Sequence, residues 1–135
     1  MELDVVIFGK HGCQKCELLQ RRTKALLEEP QYKERYRHED GTPALVVYDA
    51  LTVDGLVALC KAEVVGANKI PAIALVNHAT GELVDDSFLP ENPNGLLPGQ
   101  LSGKVGLSTD YDGDGHGVIP PAWIRPVLDY GLSIN

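Results

Sequence analysis

Between Leu3 and Leu26 the spacing of the apolar residues changes once, and the change falls at Cys13. Before it, "LDVVIFG" (3–9) is apolar at nearly every position and β-branched in the middle, the pattern of a strand buried on both faces. After it, Cys16, Leu19, Thr23 and Leu26 recur on one helical face, while Gln14, Arg21, Lys24 and Glu28 lie largely elsewhere. A buried strand feeding into an amphipathic helix opens an α/β unit. The spacing predicts that helix over 14–29, ended by Pro30, with the charged stretch 31–41 a loop or a short helical extension.

The same alternation continues. "PALVVYDA" (43–50) reads as a second buried strand. A helix over 53–63 follows, N-capped by Thr52 or Asp54, with Leu56, Leu59, Cys60 and Glu63 at helical spacing. "NKIPAIALVN" supplies a third strand with Pro71 at its entrance, where the missing N–H is tolerated. "HATG" is a turn signal and "ELVDD" a short fourth strand, so 72–85 reads as a hairpin. Residues 87–121 are rich in turn formers and weak in periodicity, and 121–131 predicts a short C-terminal helix with Pro121 at N1 and Pro126 kinking or interrupting it. The expected division is a core over 1–86 and a Gly/Pro-rich extension over 87–135, packed on the core or carried as a tail.

The totals narrow the function. A chain of 135 residues fits one domain and can bury enough surface to fold without a metal or disulfide. No apolar run reaches the ~18 residues of a membrane span, and Glu2 and Asp4 stand where a signal peptide would be basic, so the expectation is a cytoplasmic protein without membrane contact. The net charge of −7 comes entirely from residues 41–135, and no basic stripe invites nucleic acid. Three cysteines are too few for a disulfide-stapled secreted scaffold.

Chemistry therefore concentrates on Cys13 and Cys16. The pair can be a redox dithiol, half of a metal site, or two packed thiols. A structural zinc site needs four ligands, and no second Cys-x-x-Cys or His-x₃₋₅-His occurs. Cys13 falls at the predicted helix N-terminus, where unpaired N–H groups and the dipole favour a thiolate. Lys10 and Lys15 add positive charge nearby, which draws the thiol pKa down and makes Cys13 the nucleophile; His11 reads equally as a further modulator of the pair or as a solvent-exposed loop histidine. Cys16, one turn on and on the apolar face, is expected to be more buried and to act as the resolving thiol.

The order of strand, Cys-x-x-Cys, helix, strand, helix, Pro-strand, strand resembles the thioredoxin-like superfamily, and within it the small glutaredoxin-type proteins. "VVIFGKHGCQKC", "PALVVYDA", "DGLVALCKAEV", "KIPAIALV" and "GELV" carry the resemblance over residues 3–86. It implies a four-stranded mixed sheet flanked by helices, a cis Ile70–Pro71 bond facing Cys13 and binding the substrate backbone, and thiol–disulfide oxidoreductase activity without an organic cofactor. The implied partners are a disulfide-containing protein substrate and an upstream reductase or thiol donor. Lys10 matches the lysine that glutaredoxins place against glutathione, but "GELVDD" has acids where they carry Gly-Gly, which argues against glutathione. Lys15 departs from the proline or aromatic of the familiar motifs. Two other uses of the thiols stay open, a metal-binding or carrier module and a redox-sensing interaction module.

Three further features have bland readings. Cys60, among Leu56, Val57 and Leu59, reads as a buried structural thiol. Asp110, Asp112 and Asp114 in "DYDGDGHG" resemble the first half of a calcium loop, but Pro121 stands where the bidentate acid belongs, so an acidic turn is preferred over weak calcium binding. His38, His78 and His116 have no partners at metal-ligand spacing.

Overall fold

The apolar run near the N-terminus forms β1 (Leu3–Gly9) in a computed structural model that describes residues 1–61, 70–85, 105–108 and 118–134. β2 (Leu45–Asp49) pairs with β1 in parallel, while β3 (Ala72–Asn77) lies antiparallel on its other side. β4 (Gly106–Ser108) completes the open mixed sheet, antiparallel to β3, in the order β2-β1-β3-β4. The parallel β1–β2 pair requires a crossover, supplied by α1 (Gln14–Leu27) and the short α2 (Pro30–Arg35). α3 (Val53–Lys61) follows β2, and α4 (Pro121–Ser133) ends the chain. Among the described residues no helix is long and apolar enough to cross a membrane.

Alternation along the strands divides the core in two. Leu3, Val5 and Ile7 of β1, Ile73 and Leu75 of β3 and Leu107 of β4 face one way, against Leu19 and Leu26 of α1, Tyr32 of α2 and Ile124, Val127 and Leu128 of α4. Val6, Phe8, Ala72 and Ala74 face the other way, where Leu59 of α3 packs with Cys13, Cys16 and Ile70. Each large apolar side chain so buried contributes about 1.5–3 kcal/mol. The buried face of α1 is Cys16, Leu19, Thr23 and Leu26, as the periodicity predicts. Thr23 satisfies its buried hydroxyl by donating to the Leu19 carbonyl at 2.8 Å.

Several expectations need correction. Pro30 does not only stop α1; it stands at the first position of α2, where its absent N–H costs nothing. Pro126 does not interrupt α4, which continues to Ser133 with Ile124, Val127, Leu128 and Tyr130 held in the core. β2 is an edge strand, half-buried rather than covered on both faces.

The fourth strand is not "ELVDD". Leu83 makes one isolated bridge to Val76, and the Val84 N–H donates to the Leu75 carbonyl at 2.9 Å. There the lane beside β3 changes hands: the Leu75 N–H donates to the Val105 carbonyl at 3.0 Å, and Val105 donates back to Val84 at 2.9 Å. Gly106 and Leu107 then lie opposite Ala74 and Ile73. Those β3 residues are fully buried, and a hairpin that simply continued would carry two successive aspartates of the sequence into that lane, at the cost of burying charge. Gly106 and Leu107 fill it without that cost.

Polar groups fix α4 to α2. Tyr36 donates its buried hydroxyl to the Leu128 carbonyl at 2.6 Å, and burial pushes its phenol pKa up, so it remains a neutral donor. Arg35 donates to the carbonyls of Gly131, Met1 and Ile134, covering the negative end of α4. Arg125 grips Glu29 through two bonds, at 3.0 and 2.6 Å. That grip holds the Glu29 carboxyl below its ordinary value of 4.5. A depressed carboxylate stabilises the fold fully above its ordinary pKa and loses that contribution as the pH falls through the folded value. Arg125→Ala should therefore lower the urea midpoint at neutral pH, with the difference from wild type shrinking toward zero in acid; a pH-independent difference would contradict this.

Candidate functional site

Cys13 and Cys16 meet where the sheet hands over to α1. Gly12, at φ +78°, supplies a left-handed turn after β1 that a side chain would strain, and the Cys13 N–H closes that turn on the Lys10 carbonyl at 3.3 Å. Cys13 is then the N-cap of α1, with extended backbone, and its carbonyl accepts the first helical bond from Glu17 at 3.1 Å. Its Sγ accepts the Cys16 N–H at 3.1 Å. A side chain that caps a helix lies beside the first-turn donors, which brings the residue one turn on within reach. Cys13 and Cys16 are joined as a disulfide, their Cα atoms 5.2 Å apart.

Burial does not separate the two sulfurs as expected: Cys13 is 8% exposed and Cys16 7%. Their difference lies in position. Cys13 is the cap, receiving a helix N–H on its sulfur, whereas Cys16 lies inside the first turn on the buried face.

The other predicted residues divide around the pair. Lys10 and His11 line an open groove of about 200 Å³ together with Cys16, Gln20, Tyr48 and Asp49. Ile70 shares the buried cluster of Cys13 and Cys16, and the Ile70–Pro71 peptide at the entrance to β3 is cis. Lys15 lies half-buried on α1 and is not part of the groove wall. Sequence reasoning missed Tyr48 and Asp49, which reach the groove only because β2 pairs in parallel with β1; the Phe8 and Tyr48 rings stack across that pairing, 6.1 Å apart. A larger surface hollow, about 660 Å³, lies between the end of α1 and the 36–45 segment. Among the described residues it is lined by no thiol or histidine, so the smaller groove is the one beside the sulfurs.

Cys60 is exposed, not buried. α3 turns Gly55 and Leu59 inward, because only a glycine lets the helix approach the Asp49 carbonyl so closely; Leu56, Val57 and Cys60 then rotate outward. The calcium candidates Asp110, Asp112 and Asp114, and His116, lie outside the described residues. His38 and His78 do have a partner: they converge on Asp4. No family model matches the chain, and no curated protein or solved structure is similar to it.

Proposed function

We propose that this chain is a thiol–disulfide oxidoreductase of thioredoxin-like fold, with Cys13 attacking and Cys16 resolving. The observation that carries the reading is the cap: the Cys13 sulfur occupies the α1 N-terminus, accepts the Cys16 N–H, and bonds to the Cys16 sulfur one turn on. The strand order β2-β1-β3-β4 and the Ile70–Pro71 segment beside the thiols support it.

The chemistry balances without a cofactor. In the reduced protein the Cys13 thiolate, favoured by the helix N-terminus, attacks one sulfur of a substrate disulfide and expels the other as a thiolate. The Cys16 thiol loses its proton and attacks the Cys13 sulfur of the mixed disulfide, expelling the second substrate sulfur. The substrate gains two electrons, and the protein is left with the Cys13–Cys16 disulfide. A reductase or small dithiol returns it to the reduced state. The groove lined by Lys10, His11, Tyr48 and Asp49 offers room beside the sulfurs for substrate groups.

The test is catalysis of insulin disulfide reduction by dithiothreitol. The wild-type chain should accelerate the reaction well above the dithiothreitol background at substoichiometric concentration. A rate equal to background would reject the proposal.

A further inference from the structure

At the end of β1 remote from Cys13, side chains from three separate segments meet. Asp4 stands on β1, His38 between α2 and β2, and His78 on the turn after β3. The Asp4 Oδ1 lies 3.0 Å from His38 Nε2, and its Oδ2 lies 3.0 Å from His78 Nδ1. The two imidazole rings are 4.0 Å apart between centres and tilted by 32°. The His38 side chain is buried, the Asp4 carboxylate is nearly so, and His78 forms the open rim.

On the other side of the His38 ring, the Asp40 carboxylate accepts the hydroxyl of Thr42 at 2.7 Å and its N–H at 2.9 Å. The Thr42 hydroxyl oxygen lies 2.8 Å from His38 Nδ1. Nε2 is left facing the Leu3 carbonyl at 3.1 Å and Asp4 Oδ1 at 3.0 Å, and both are acceptors. Among the described residues, Asp4 Oδ1 is buried and receives no hydrogen bond. Two oxygens thus face Nε2, one of them that unpartnered carboxylate oxygen.

A divalent cation resolves that arrangement. We propose that Asp4, His38 and His78 form a binding site for a transition metal of the zinc class. Imidazole and carboxylate are the ligands such ions take, and the 3.0 Å separation of Asp4 Oδ1 from His38 Nε2 approaches the edge of a zinc tetrahedron, roughly 3.3 Å for bonds of about 2.0–2.1 Å. The three ligand atoms lie within 4.8 Å of one another, and the remaining adjustment falls to His78, the exposed member. The outer contact has the form that metal-binding histidines use: His38 Nδ1 lies 2.8 Å from the Thr42 hydroxyl, which donates to Asp40 at 2.7 Å, so the ring is held from its far side.

The experiment uses the untagged full chain with its Cys13–Cys16 disulfide intact and Cys60→Ala, so that no thiol competes. Zinc chloride is titrated calorimetrically at pH ~8, above the ordinary histidine range, and cobalt(II) chloride is followed by visible absorption. The expected result is one equivalent bound, a cobalt spectrum without thiolate charge-transfer bands, and affinity reduced at least ~10-fold by His78→Ala and by Asp4→Asn. His78 is at the surface, so its variant should keep the wild-type circular dichroism and decide the matter even if Asp4→Asn fails to fold. Dissociation constants weaker than roughly 1 mM, or zinc uptake unchanged by His78→Ala, would overturn the proposal in favour of a cluster held by a proton alone.

Discussion

Cys13→Ser is expected to reduce catalysed disulfide exchange by at least about three orders of magnitude, because in the proposed mechanism it removes the group that forms the first covalent bond. Cys16→Ser should behave differently. It leaves the cap sulfur and its position at the α1 N-terminus in place, so the first attack proceeds and the second fails. Steady-state turnover then falls, while one equivalent of substrate thiol is still released in the first cycle. The asymmetry follows from the helix: the N-cap side chain lies beside the positive end of the dipole, and a residue inside the first turn does not share that position. Stopped-flow measurement of thiol release in both variants checks it.

Gly55→Ala is expected to destabilise the fold by about 1–2 kcal/mol, the cost of overpacking against backbone less the up to ~1 kcal/mol that alanine gains over glycine in a helix. A Cβ at this position would overlap the Asp49 carbonyl oxygen and press on the carbonyl carbon behind it. That obstacle is backbone, so no rotamer change relieves it, and α3 must lift from β2. The Asp49 carbonyl also accepts the N–H and hydroxyl of Thr52, so moving it disturbs the α3 cap as well. Urea unfolding of the variant gives the loss directly. Unchanged or increased stability would mean that α3 does not pack on β2 in this way.

The legible parts of this fold were the local ones. β1 and α1 could be read because their buried residues follow a single period each, and Thr52 accepts the Gly55 N–H at 3.1 Å as its place before α3 suggests. The Cys13 cap was legible for the same reason, since a strand, a short turn and a helix fix its place without help from distant residues. The β4 assignment failed because the partner of Ala74 and Ile73 comes from Gly106 and Leu107, which a reading of adjacent turns cannot select over "ELVDD". The inward face of α3 was misjudged because hydrophobicity favours Leu56 and Cys60, whereas close approach to Asp49 selects Gly55. Asp4, His38 and His78 were invisible as a group, being brought together only by strand pairing and by the return of the chain from α2.

Mixed-disulfide trapping tests the central assignment most directly. Reduced Cys16→Ser and Cys13→Ser proteins, each also carrying Cys60→Ala, are mixed with a small aromatic disulfide and analysed by intact mass and peptide mapping. The assignment of Cys13 as attacking thiol and Cys16 as resolving thiol predicts rapid adduct formation on Cys13 in the first protein and little on Cys16 in the second. Equal rates of adduct formation, or faster reaction at Cys16, would contradict it.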